Sequence, residues 1–148
     1  MHVRMRLTLP RDARCVAVMR NVATCLLTDL GTPAPERDDI ALALTEACTN
    51  AVKHAVGTAE YTVGFELGTD YCEIEVRDCG PGLGDQLDQA APGGALDSVL
   101  ERGRGLVLMQ ALMDDSELIC REDSTTVKLV KRFNSMTLRP LEPAAPRR

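Results

Sequence analysis

Thr45-Glu46-Ala47-Cys48-Thr49-Asn50-Ala51-Val52-Lys53-His54-Ala55 is the stretch on which the reading of this chain turns. The spacing predicts that it forms the second half of a helix running from about Glu36 to Val56 and closed by Gly57. At about 100° per residue, Ile40, Leu44, Ala47, Ala51 and Ala55 make one apolar stripe, with Glu46, Asn50 and Gly57 beside it. The alanines let such a helix lie close to a sheet. Glu46 and Asn50 then aim a carboxylate and an amide at one volume. A carboxylate can take a proton, and an amide oxygen is a hard ligand that suits Mg²⁺. A solvated polar edge has the same pattern, so the stretch has to be weighed with its surroundings.

On its N-terminal side, Val3, Met5, Leu7 and Leu9 alternate with Arg4, Arg6 and Thr8, which predicts a half-buried strand ended by Pro10. Asp12 is the expected N-cap of a helix to about Leu30, broken at Gly31-Thr32-Pro33-Ala34-Pro35. On its C-terminal side, Tyr61 to Leu67 and Cys72 to Val76 read as two strands of a hairpin turning at Gly68-Thr69-Asp70. A Gly-, Pro- and Asp-rich region from Asp78 to Gly105 holds one short helical patch near Ala95 to Glu101. A helix from Gly105 to Met113 and strands Ser116 to Arg121 and Thr125 to Phe133 complete the folded part. Leu138 to Arg148, with Pro140, Pro143 and Pro146, reads as an unfolded tail. Helices interleaved with hairpin strands point to an α+β fold on a mostly antiparallel sheet.

Two further motifs stand at junctions. Asp78-Cys79-Gly80-Pro81-Gly82-Leu83-Gly84 follows a strand, where glycines admit a ligand to the backbone and Asp78 can accept from an amino group. An ordinary Asp/Gly/Pro turn reads alike, and the G-x-G-x-x-G spacing of a dinucleotide site is missing. Gly103-Arg104-Gly105-Leu106 is placed at the opening of the next helix, where exposed N–H groups and the Arg104 fork suit phosphate. No Lys-Ser/Thr follows, which excludes a P-loop.

Bulk properties narrow the rest. The 148 residues fit one domain, and a hydrophobic content of 45% supports a core. A formal charge of -5 gives no global attraction to nucleic acid or anionic membrane, and 3% aromatics with no Trp leave no stacking platform for bases. No apolar run approaches the roughly 20 residues of a spanning helix, and the first ten residues carry no apolar signal-peptide core. The six cysteines are scattered without any C-x-x-C, so a metal site is not expected and the thiols are read as reduced in a cytoplasmic protein. Asp114 and Asp115 read as capping residues, and Cys79 as filler or a redox-sensitive thiol.

The order of the motifs is more specific than any one of them. TEACTNAVKHA, VRDCGPGL, GRGLVLMQALMDD and STTVKLVKR, in that order, resemble the ATP-binding domain shared by gyrase, histidine kinases and MutL. Within it they resemble the bacterial anti-sigma-factor serine/threonine kinases, over about Val3 to Phe133. The resemblance implies a Bergerat-type two-layer sandwich with helices on one face of the sheet, occupying residues 1–133. It implies ATP and Mg²⁺ as cofactors. Glu46 takes the place of the general base, Asn50 that of the Mg²⁺ ligand, and Asp78 that of the acceptor for the adenine amino group. Gly80 and Gly82 lie along the nucleotide; Gly103, Arg104, Gly105 and Leu106 wrap the phosphates; Leu83 to Arg102 corresponds to a lid. Lys53 and His54 are candidate phosphate neighbours. Thr125 or Thr126 supports the adenine; Ser124, where the family often has Gly, leaves open which.

Implied partners are a sigma factor, an anti-anti-sigma antagonist of the STAS type phosphorylated on Ser or Thr, and a second copy of the chain in a homodimer. Neither nucleic acid nor membrane is among them. The competing reading is an ATP-binding clamp without phosphotransfer. The catalytic half of a histidine kinase needs an acceptor His on a dimerisation helix pair, and only His2 and His54 are present. A gyrase-like or MutL-like protein needs a transducer domain for which 148 residues leave no room.

Overall fold

The computed structural model describes residues 2–54, 57–79 and 95–133, and of 95–102 the backbone alone. Five strands form one antiparallel sheet in the order β1-β2-β3-β5-β4. They are β1 (Val3–Pro10), β2 (Glu60–Leu67), β3 (Tyr71–Asp78), β4 (Asp115–Cys120) and β5 (Thr125–Arg132). Helices α1 (Ala13–Asp29), α2 (Ala34–His54) and α3 (Ala95–Leu112) complete the described elements. This is the two-layer α+β architecture that the sequence predicts.

Alternation sets the layers. Tyr61, Val63, Phe65 and Leu67 of β2, Cys72, Ile74 and Val76 of β3, and Val127 and Leu129 of β5 are buried on the face the helices cover. Arg4, Glu66 and Glu73 form one cross-strand row on the other face, and Arg6, Gly64, Glu75 and Lys128 another. A period of two therefore separates a core face from a charged one. Against the core face lie Ile40, Leu44, Ala47, Cys48 and Ala51 of α2, with Met19, Ala23 and Leu27 of α1 and Met109 of α3. Burial pushes the thiols of Cys48 and Cys72 up to about 12, so both are neutral packing groups.

Local chemistry fixes the helix ends. Asp12 caps α1 by accepting from the Arg14 backbone N–H at 2.8 Å. At its other end Gly31 has φ 81, Gly31 N–H donates to Thr28 O at 3.0 Å, and Thr32 N–H donates to Leu27 O at 2.9 Å. That is a Schellman stop, which needs a left-handed residue. α2 begins at Ala34, ahead of the expected Glu36, because Pro35 has no N–H to lose in a first turn. The Arg11 guanidinium donates to Val52 O at 2.9 Å and to Thr58 O at 3.1 Å, placing a cation where the last carbonyls of α2 need one.

One element departs from expectation. The sequence reading separates a helical patch near Ala95 to Glu101 from a helix opening at Gly105, whereas the structure has one continuous helix, α3. Gly103 and Gly105 therefore lie inside it, where N–H groups are taken by carbonyls one turn back, rather than at a free N-terminus. Each glycine costs about 1 kcal/mol relative to alanine, but neither is a breaker, and no proline intervenes between 95 and 112. Burial of Met109 and Met113 against the sheet holds the helix.

Candidate functional site

The site is built where α2 and α3 face each other over the ends of β3 and β5. Glu46, Thr49, Asn50 and Lys53 occupy positions i, i+3, i+4 and i+7 of α2 and share one wall of a cavity of about 240 Å³. Arg104 and Gly105 of α3 form the facing wall. His54 also lines this cavity. Glu46, Thr49, Asn50 and His54 are half-buried, and Lys53 and Arg104 are exposed. One carboxylate and one amide thus stand beside an ammonium and a guanidinium.

Gly105 is what brings the two helices together. A methyl group placed on it would meet Glu46 Oε2 at 3.2 Å, Asn50 Nδ2 at 3.4 Å and Asn50 Oδ1 at 3.7 Å. The two side chains therefore converge on a single point beside α3, as their spacing predicts. At Gly103 nothing lies within 4 Å of a built Cβ, so that position does not serve the same approach.

Asn50 also lines a second, smaller cavity of about 10 Å³, bounded by Asp78, Thr125 and the apolar side chains of Val76, Leu106, Leu118 and Val127. Asp78 and Thr125 are each 8% exposed. The end of β3 is tied down by the Thr58 hydroxyl, which donates to Cys79 O at 2.7 Å. The turn before β5 is closed by the Arg121 N–H donating to Ser124 O at 2.8 Å, and Ser124 is buried. At about 10 Å³ the slot has room for barely one water molecule, so what it presents is a lining, one buried carboxylate and one hydroxyl among apolar side chains, closed over in this structure.

Of the residues singled out in sequence, the structure brings together Glu46, Asn50, Lys53, His54, Arg104 and Gly105 around the larger cavity, and Asp78, Leu106 and Thr125 around the smaller. Thr126 is not with them: it pairs with Arg77 across the strands, on the sheet face away from the helices. Gly80, Gly82 and most of the expected lid, 83–94, lie outside the described residues, as does the tail from 134. Asp114, read as a capping residue after the helix, instead serves the sheet: its carboxylate accepts from the Arg132 N–H at the end of β5 at 2.6 Å. Sequence reading passed over Thr49, whose signal is its i+3 spacing from Glu46, and Val76, Leu118 and Val127, which alternation places on the inward face.

Beside this geometry stands a family match: the histidine kinase-like ATPase domain matches residues 9–131. The chain belongs to this family. It is 31% identical over 134 residues to the serine-protein kinase RsbW of Bacillus licheniformis, covering 84% of this chain and 83% of that protein. To the serine-protein kinase RsbW of Bacillus subtilis it is 30% identical over 138 residues, covering 88% and 86%.

Among solved structures it resembles the RsbU and RsbW domains of Rv1364c from Mycobacterium tuberculosis, with a TM-score of 0.67 and 20% identity. That match covers 88% of this chain and 32% of the other. The SiaB-SiaC complex from Pseudomonas aeruginosa gives a TM-score of 0.63 at 13% identity. Both likenesses speak to the fold alone. No helix among the described residues is long and apolar enough to cross a membrane.

ATP is the nucleotide this ATPase family implies. No group of three His, Cys, Asp or Glu side chains among the described residues is placed to hold a metal ion. Mg²⁺ in a nucleotide site takes one or two protein oxygens and completes its octahedron with phosphates and water. Asn50 Oδ1, beside Gly105, would supply such an oxygen.

Proposed function

We propose that this chain is an ATP-dependent protein serine/threonine kinase that sequesters a sigma factor and phosphorylates an anti-anti-sigma antagonist. The observation that carries this reading is the position of Glu46, a half-buried carboxylate on the wall of the cavity that also holds Asn50, Lys53 and Arg104. A clamp that only binds nucleotide needs the cations and the adenine slot. It does not need a carboxylate there, which repels the terminal phosphate unless it serves an acceptor hydroxyl.

In this reading the slot between Asp78 and Leu106, closed to about 10 Å³ in this structure, widens to take the adenine, with Thr125 supporting Asp78. Lys53, His54 and Arg104 hold the phosphates, Asn50 holds Mg²⁺, and Glu46 takes the proton of the acceptor hydroxyl. Mg²⁺ neutralises phosphate charge. The antagonist's Ser or Thr enters from the open side of the larger cavity. Phosphorylation then places roughly -1.5 to -2 charges on the antagonist, against a protein whose own formal charge is -5. Repulsion favours release and leaves the kinase to the sigma factor. A homodimer in the cytoplasm is the working assembly in this proposal.

The test is direct. The chain, Mg-ATP and candidate STAS-type proteins from its own cell are incubated together, and the products are analysed by mass spectrometry. A phosphoserine or phosphothreonine on one candidate, absent with Glu46→Gln, is expected. Nucleotide binding without phosphate on any candidate returns the clamp.

A further inference from the structure

The described helices carry four threonines, and three of them behave alike. The hydroxyls of Thr24, Thr28 and Thr45 donate to the carbonyls of Arg20, Thr24 and Ala41, one turn back, at 2.9, 2.6 and 2.7 Å. This back-bond is the ordinary fate of a helical threonine that has nothing else to do. Thr49 is the exception among the described residues: its hydroxyl makes no hydrogen bond. It stands instead on the wall of the larger cavity, one turn beyond Glu46 and beside Asn50.

The Thr49 hydroxyl is not one of the buried unpartnered polar atoms, so its donor and acceptor stay available to a ligand entering the cavity. Of the polar cavity-lining groups on α2 and α3, Lys53 and Arg104 are cationic donors on long exposed stems, and Glu46, Asn50 and the His54 ring already have roles in the proposed reaction. Thr49 offers a short, stiff, neutral donor on a rigid helix. Such a donor suits an oxygen whose charge changes during reaction, because it needs no reorganisation to meet it.

We propose that Thr49 is a further substrate-contacting residue, whose hydroxyl donates to a non-bridging oxygen of the phosphoryl group in transit. The inference rests on the kinase reading given above. In the step concerned, the acceptor oxygen forms a bond to the terminal phosphorus as its proton passes to Glu46. The bond from that phosphorus to the bridging oxygen breaks, and ADP leaves with the electron pair. Thr49 transfers no proton; it holds the group along the line of attack.

Thr49→Val replaces the hydroxyl by a methyl at nearly equal volume and similar helix propensity, and Thr49→Ser restores the hydroxyl. Calorimetry with ADP alone is expected to find the Val variant within about threefold of wild type. With ADP and aluminium fluoride, which mimics the phosphoryl group in transit, its affinity should fall about tenfold or more. Its phosphotransfer rate should fall by a similar factor, with the Ser variant recovering most of both. Thermal midpoints of all three should agree within a degree or two.

A Val variant equal to wild type with aluminium fluoride overturns the inference while leaving the kinase reading intact. So does a Ser variant as impaired as Val, which marks a packing role, or phosphate appearing on Thr49 itself. Failure of the wild-type chain to bind nucleotide overturns the kinase reading and this inference with it.

Discussion

Asp78 and Thr125 stand directly opposite each other on β3 and β5, both buried on the face that the helices cover. Residues paired in this way have Cβ atoms about 4.5–5.5 Å apart. The carboxylate and the hydroxyl are thus held as a pair by the sheet's own register, with no loop needed to bring them together. Tyr61 flanks Asp78 from β2. This end of the slot therefore rests on paired strands rather than on a loop.

Asp78→Asn is expected to weaken ATP binding about ten- to a hundredfold. The change replaces a charged acceptor by an amide that can present a donor, and the loss of one charged hydrogen bond costs about 1.5–3 kcal/mol. Titration calorimetry on the folded variant checks this, and an unchanged affinity would remove Asp78 from the adenine site.

The two threonines at the start of β5 are separated by the pleat. Thr125→Val should weaken nucleotide binding by about fivefold, the loss of one neutral hydrogen bond of roughly 1 kcal/mol. Thr126→Val should leave it unchanged, because that side chain lies opposite Arg77 on the open face. Equal effects of the two substitutions would mean that strand register does not decide which threonine serves the ligand.

How much of this was legible in the sequence depends on the kind of signal. Alternation in Tyr61 to Leu67 and Cys72 to Val76 placed the hairpin, since a period of two admits few other readings. Pairing across strands is a non-local fact, so only the register fixes that Thr125, and not Thr126, faces Asp78. Glu46 and Asn50 were legible because i and i+4 fix a shared face. The glycines at 103 and 105 misled: they suggested a helix start, and packing of α3 on the sheet overrode their weak propensity. Thr49 was in plain view, but a threonine's hydroxyl matters only once its failure to bond the helix backbone is known.

Glu46→Gln should retain ATP binding and lose phosphotransfer, because the amide is nearly isosteric but cannot accept the proton. Removal of a general base lowers rate by about 10²–10⁴. Asn50→Ala should act differently, weakening binding of Mg-ATP more than binding of nucleotide in the presence of a chelator. Identical behaviour of the two variants in both measurements would contradict the separation of base from metal ligand.

The glycines of α3 give a stability test. Gly103→Ala meets nothing within 4 Å, so the helix should gain its full propensity increment of about 1 kcal/mol and the thermal midpoint should rise by about 2–4 °C. Gly105→Ala brings a methyl to 3.2 Å from Glu46 Oε2, so it should gain less or nothing and should lower phosphotransfer by displacing Glu46. A Gly103→Ala variant less stable than wild type would argue that α3 is not continuous through that position.

On the open face, Glu66 is the hub of a charged cluster. Its carboxylate accepts from His2 at 3.0 Å, from the Tyr71 hydroxyl at 2.9 Å, and from Arg4 at 2.9 and 3.1 Å. These hydrogen bonds, that from His2 foremost, favour the ionised form and lower its pKa from 4.5 to about 2. A depressed carboxylate pKa means that the unfolded chain takes up a proton first as pH falls. The stability that Glu66 contributes is therefore fully present above about 4.5 and is lost progressively as pH falls towards about 2. Glu66→Gln removes that linkage, so its urea midpoint should fall less steeply than wild type's between pH 5 and pH 2.5. Asp12, also lowered to about 2 by its hydrogen bond from Arg14, remains in the variant and keeps part of the slope. The cluster is solvent-facing, and salt near 1 M should narrow the difference between the two proteins. Parallel midpoint-against-pH curves at low salt would show that the Glu66 cluster does not persist in solution.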